Sequence, residues 1–289
     1  MYMYELIDNN LFNKCYQAIP IFWSIMTNKG EECYLRVFNF IKEKFPSFNP
    51  KTYMSDFEIG MHNAVETAFP DIDANHCYFH YAQAINKNAR DLGLINKTTI
   101  KVTTHPEIYV TIKQLIALAL LPPKLIISTF NNLKEVVTQD FGQRFDRLFD
   151  YYERFWIKTI KPRGFSVYNL REDKTDNYEE SYNRNLNDLL KKNPHPNQFI
   201  EVIKYLALDA RVIRNSIKLN KYIARRPITQ RTEKKLEMED FWDMLDEKIE
   251  NVGEDNINGL ELINGLSSIQ HLRLLEQEIM LKEMDKILK

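Results

Sequence analysis

At 289 residues, with 44% hydrophobic and 27% charged residues and a formal net charge of -1, the chain has ordinary globular composition and length for one large domain or two. Its 8 glycines and 11 prolines argue against a loop-rich β protein and for many helices. The longest apolar run, Leu115 to Leu121 before Pro122-Pro123, is too short for a bilayer, the first residues lack a signal-peptide pattern, and Cys15, Cys33 and Cys77 make no disulfide framework, so a reducing intracellular setting without a membrane partner is expected.

In chain order, the segment near Tyr2 to Ile7 is expected as a strand. Pro20 to Met26 is a second apolar, β-branched and aromatic run. Asn28-Lys29-Gly30 supplies a turn, and apolar positions at Tyr34, Val37, Phe38, Phe40, Ile41 and Phe45 predict a helix over 31–45 that Pro46 closes. Tyr53 to Ser55 reads as a strand, Ile59 to Phe69 as a helix, Asn75 to Phe79 as a short strand, and Tyr81 to Leu92 as a helix stopped by Gly93. This alternation favours a sheet with parallel elements.

Helical periodicity then dominates, over Pro106–Leu120, Pro123–Val137 and Phe141–Ile160, with a short extended piece at Phe165–Tyr168. Helix is expected again from Asn177 to Leu190, broken by Pro194 and Pro196, and from Phe199 to Tyr222. Residues 156–226 carry 15 basic and 8 acidic residues, whereas 227–289 carry 8 basic and 15 acidic ones. A basic middle and an acidic helical tail are compatible with phosphate binding or with two ordinary solvated helical faces. Trp156 and Trp23 read as core, and Trp242 as an anchor between the tail and the body.

Two clusters carry chemistry. Thr52-Tyr53-Met54-Ser55-Asp56-Phe57-Glu58 ends a β-prone run in an acid, and Cys77-Tyr78-Phe79-His80 ends another at the mouth of a helix. An Asp at the carboxyl end of a strand suits a hard divalent cation, because such ions take carboxylate and phosphate oxygens. Asp56 also fits a helix N-cap before Ile59, and Glu58 a first-turn acid favoured by the helix dipole. Cys77 and His80 supply two ligands where structural zinc takes four, so a buried Cys beside a hydrogen-bonded His is the plainer reading. His76 and His62 are spare candidates. Arg211, Arg214, Lys218 and Lys221 form a partly helical basic stripe, a candidate DNA-contacting surface or the polar face of an amphipathic helix.

The succession Ile21–Lys29, Glu31-Glu32-Cys33-Tyr34, Met54–Glu58 and Cys77–Ala84 resembles the transposase domain of Mutator-like elements, the MULE family. Tyr151–Trp156 resembles that family's aromatic helix, and Thr175–Arg184 its segment bearing the third acid. The resemblance covers about residues 3–215. It implies an α/β ribonuclease-H-like core, incomplete at its N-terminal strand, over 1–95. A helical insertion over 96–168, core-completing helices over 169–226 and an acidic helical tail over 227–289 follow. It further implies Mg²⁺-dependent (or Mn²⁺-dependent) cleavage and strand transfer on DNA, in the nucleus, by a D-D-E triad. Asp56 would be the second acid and Glu180 the third, with Glu179 the alternative if the register slips by one. The family's first Asp falls on a strand that would precede Met1, and Asp8 does not replace it. A transposase-derived DNA-binding or regulatory protein without chemistry is the alternative, and a homo-oligomer is compatible with either.

Overall fold

The computed structural model describes residues 2–8, 16–95, 106–168, 170, 186–190, 194–219, 229–253 and 256–270. The chain divides into two compact units. One comprises Met1–Lys51, Glu58–Ile72 and Asp176–Thr232, and the other Thr52–Phe57, Asp73–Thr175 and Glu233–Lys289. The architecture is mostly helical α/β with small sheets.

The first unit opens with strands β1 (Tyr2–Asp8) and β2 (Tyr16–Trp23), which pair antiparallel from Tyr2↔Trp23 to Asp8↔Tyr16. The register slips between Met3 and Tyr4, opposite Pro20 and Phe22. A proline has no N–H to give a ladder, so it sits naturally at such an irregularity. The strand starts before Pro20 and stops at Trp23, short of the expected Met26.

Helix α1 (Glu31–Lys44) buries Tyr34, Phe38 and Ile41, one face at i, i+4 and i+7. Helix α2 (Ile59–Ala68) buries Ala64, Val65 and Ala68. Beyond α2, Phe69 meets Phe38 and Phe48 edge-on at 6.0 and 6.1 Å, and the Lys42 ammonium donates to the Ala68 carbonyl at 2.6 Å. Near the start of α2, a Cβ on Gly60 would lie 3.1 Å from the Lys29 carbonyl oxygen and 3.1 Å from the Glu31 nitrogen, so the helices approach at backbone distance there.

The second unit holds β3 (Thr52–Ser55) and β4 (Asp73–His76), paired parallel with Thr52↔Asp73 and Ser55↔His76. Helix α3 (Tyr78–Asp91) follows β4 at once and ends where Gly93 takes φ +75°, the left-handed conformation a side chain resists. Helices α4 (Pro106–Ala117), α5 (Pro123–Phe141), α6 (Asp146–Tyr152) and α7 (Pro162–Phe165) build a bundle against α3. Between α6 and α7, Glu153–Ile160 is π-helical. The Thr159 hydroxyl donates to the Arg154 carbonyl five residues back at 3.0 Å, and Trp156 is wholly buried. Phe165, expected in an extended piece, ends α7; the Val167 N–H donates to the Ala119 carbonyl at 2.7 Å.

In the first unit, α8 (Pro196–Lys218) packs Leu206 and Ala210 inward, and it contacts β2. Pro196, expected as a breaker, instead begins this helix, because the first turn's N–H groups have no intrahelical partner for proline to remove. A short helical turn over 186–189 precedes it. Helix α9 (Thr229–Val252) and α10 (Gly259–Gln270) complete the described chain. Trp242 of α9 is fully buried, and its indole N–H donates to the Leu120 carbonyl at 3.0 Å. The Tyr168 hydroxyl donates to the Asp246 carboxylate. The tail is thus tied to the helical bundle by Trp242, as its sequence suggested.

Candidate functional site at the ends of the parallel strands

The two sequence clusters meet through the register of β3 and β4. Ser55 lies opposite His76, so Asp56 and Cys77 are the next residues beyond two adjacent strand ends. Adjacent strands are about 4.8 Å apart. The Cys77 N–H donates to the Ser55 carbonyl at 2.8 Å, extending the ladder by one bond. Cys77, expected on the strand, is instead the N-cap residue of α3, and Tyr78 and Phe79, also expected there, form that helix's first turn with His80. The strand ends at His76 because the following backbone already turns helical at Tyr78.

Asp56 stands on a fixed backbone. The Tyr53 hydroxyl donates to Ser55 Oγ at 2.7 Å, and Ser55 Oγ donates to the Asp56 carbonyl at 2.8 Å. The next ring, Phe57, packs tilted against His76 at 4.5 Å and edge-on to Trp156 at 4.7 Å. Between these anchors the Asp56 side chain is exposed. Among the described residues its carboxylate has no hydrogen-bond or ion-pair partner. The N-cap position of α2 belongs to Glu58, so Asp56 is not the cap.

Glu58 is engaged. The Lys29 ammonium donates to its Oε2 at 2.8 Å, and the Tyr34 hydroxyl donates to Oε1. These bonds hold the loop before α1 to the start of α2, a structural task that occupies the carboxylate. His62 pairs with Glu66 one helical turn on, at 3.4 Å, and His76 is buried against Phe57. Cys77 is buried. Among the described residues no group of three or more His, Cys, Asp or Glu side chains converges on one point. Glu180, with Glu179, lies outside the described residues, as does Lys221. Arg211, Arg214 and Lys218 are exposed on α8.

Sequence reasoning did not anticipate the packing of Phe57. Its signal was available in the alternation of the strand: Tyr53 and Ser55 share a face, and the aromatic two residues later continues inward. Likewise Tyr81, one residue past His80, is fully buried. Its hydroxyl donates to the Leu115 carbonyl at 2.6 Å and lies 2.7 Å from the Tyr152 hydroxyl. Burial pushes Tyr81, Tyr152 and Tyr78 well above the ordinary phenol range. The aromatic motif at Tyr151–Trp156 is thus the wall that supports the site's strand ends, through Phe57 and Tyr81.

Residues 1–84 match the family model of the MULE transposase domain. The match runs through both strand ends and stops within α3. No curated protein and no solved structure matches the chain. Among the described residues no helix is long and apolar enough to cross a membrane.

Proposed function

We infer that this chain is a transposase-like protein acting on DNA, built on a ribonuclease-H-like core, with Asp56 as a carboxylate ligand of a Mg²⁺ (or Mn²⁺) ion. What carries the reading is the situation of Asp56. It is an exposed, partner-free carboxylate among the described residues, on a doubly anchored backbone, at the carboxyl end of a parallel strand, inside the matched residues. Hard divalent ions favour oxygen ligands, usually through one or two carboxylates with substrate phosphate completing the sphere. Asp56 fits such an ion, and by family resemblance Glu180 is the companion acid. When bound, the metal supplies Lewis-acid activation of a phosphodiester and of its attacking oxygen. The chain's own part is to hold Asp56 still: Ser55 fixes its carbonyl and Phe57 its following peptide, so the carboxylate is preorganised. The first turn of α3 beside it offers backbone N–H groups toward an anionic substrate.

Arg211, Arg214 and Lys218 are proposed phosphate contacts, with Lys221 by sequence, and the proposed site of action, by family resemblance, is the nucleus. Metal placement can be read without turnover. Fe²⁺ in place of the native ion, with ascorbate and peroxide, should cut the backbone near Asp56 and Cys77, with the cuts mapped by mass spectrometry. Excess Mg²⁺ and Asp56→Asn should each suppress those cuts. Cuts that persist in Asp56→Asn would remove Asp56 from the metal. DNA binding that survives while no localised cuts appear would favour the alternative, a transposase-derived DNA-binding protein without chemistry.

A further inference from the structure

Helix α8 is apolar on two faces, and one of them lies open. Its inward row, with Leu206 and Ala210 buried, lies in the unit that holds β2. On another face, Tyr205, Leu208 and Val212 are 62%, 60% and 61% exposed, and Leu219, the residue just past the helix, whose N–H still donates to the Asn215 carbonyl, is 64% exposed. Their spacing of three, four and seven residues is the alternating a and d pattern of a helix-pairing seam, with Asn215 at the intervening d position. Single exposed apolar residues need no explanation, but four in one seam over 15 residues do.

Charge selects the occupant. Lys204, Arg211 and Lys218 recur every seven residues along one flank of the seam, and Asp209 and Ser216 line the other. In the heptad these are g and e positions respectively. An antiparallel copy would set basic flank against basic flank. A parallel copy sets each basic flank against the other chain's Asp209 and Ser216, and brings Lys204 opposite Asp209 across the seam. Within one chain Lys204 pairs with Glu201 at 2.9 Å with both side chains largely exposed, so this contact can be exchanged at little cost.

We propose that α8 is a homodimerisation helix, pairing with α8 of a second copy of this chain in parallel register through Tyr205, Leu208, Val212 and Leu219. Asn215 meets its own counterpart on the two-fold, where one amide can hydrogen-bond the other and fix the register. The seam is too short to hold as an isolated coiled coil. Here the inward face anchors the helix within its own unit, so association does not have to fold it. This inference rests on neither the metal nor the DNA reading.

Light scattering coupled to size exclusion on the full chain should give twice 34.4 kDa at micromolar concentration. Leu208→Glu with Val212→Glu should bring it to 34.4 kDa with an unchanged circular dichroism spectrum, because both positions are exposed. Lys204→Glu tests orientation. In the parallel pair it places like charges opposite Asp209 and should raise the dimer dissociation constant roughly two- to tenfold, with Asp209→Lys in the same chain restoring it. In an antiparallel pair Lys204→Glu would instead tighten the dimer. A wild-type monomer at all concentrations would overturn the proposal. So would a dimer indifferent to Leu208→Glu with Val212→Glu, or one tightened by Lys204→Glu.

Discussion

Tyr81 and Tyr152 show how much one hydroxyl can depend on another. A phenol has one proton to give, and Tyr81 gives it to the Leu115 carbonyl, so across the 2.7 Å contact Tyr152 is the donor and Tyr81 the acceptor. The two hydroxyls are therefore unequal. Tyr81→Phe removes a donor from the Leu115 carbonyl and leaves the buried Tyr152 proton without its acceptor, and should cost about 2–4 kcal/mol. Tyr152→Phe leaves Tyr81 still donating and should cost about 1 kcal/mol. Urea unfolding of the two variants separates these values. The same burial sets a pH response. The folded-state pKa of Tyr78, Tyr81 and Tyr152 is raised above the unfolded value of about 10, so their contribution is fully present below pH 10 and is lost as pH rises beyond it. Each should remove up to about 1.4 kcal/mol per pH unit in that window. Absorbance near 295 nm should show these phenols ionising together with unfolding rather than before it.

Among the elements, α10 begins under a steric constraint. A Cβ on Gly259 would fall within the Thr129 side chain, 2.8 Å from its Cβ, and Thr129 is buried on the rigid α5. Gly259→Ala should therefore destabilise by about 1–3 kcal/mol. Thr129→Ala in the same chain should recover part of that loss, as read by thermal denaturation. How well each element could be read from sequence follows from which signal marks it. Helices α1 and α2 are bounded by turn residues and prolines, and their amphipathic period places them to within a residue. The α3 start was read three residues late, because Cys77 to His80 is apolar and aromatic in a way that suits strand and buried helix equally. The start of α8 is ambiguous in sequence because Pro196 suits a helix's first turn as well as a break after the preceding helix. The open seam of α8 was masked by its basic neighbours, since charge and apolar rows interleave in sequence and separate only on the helix surface.

Across the whole molecule, the position of Asp56 just past a strand end is legible from the β-prone run before it, whereas its packing environment is not. The ring of Phe57 reaches Trp156, a hundred positions further on, and no local pattern reports so distant a contact. If the exposed basic row of α8 meets phosphate, duplex affinity should fall as a power of salt concentration, with an apparent exponent of about one per contact. Replacing Arg211, Arg214 and Lys218 with alanine should flatten that slope in a filter-binding series, and an unchanged slope would acquit them. The chain also passes from one unit to the other five times. Cutting at residue 84 would sever α3 from the carbonyls of Leu115 and Ile116 that receive its buried tyrosines. The stretch that carries the family likeness therefore leans on residues beyond it: expressed by itself it should lose the helical signal of α3, while the α1–α2 pair keeps its own contacts through Phe38 and Phe69.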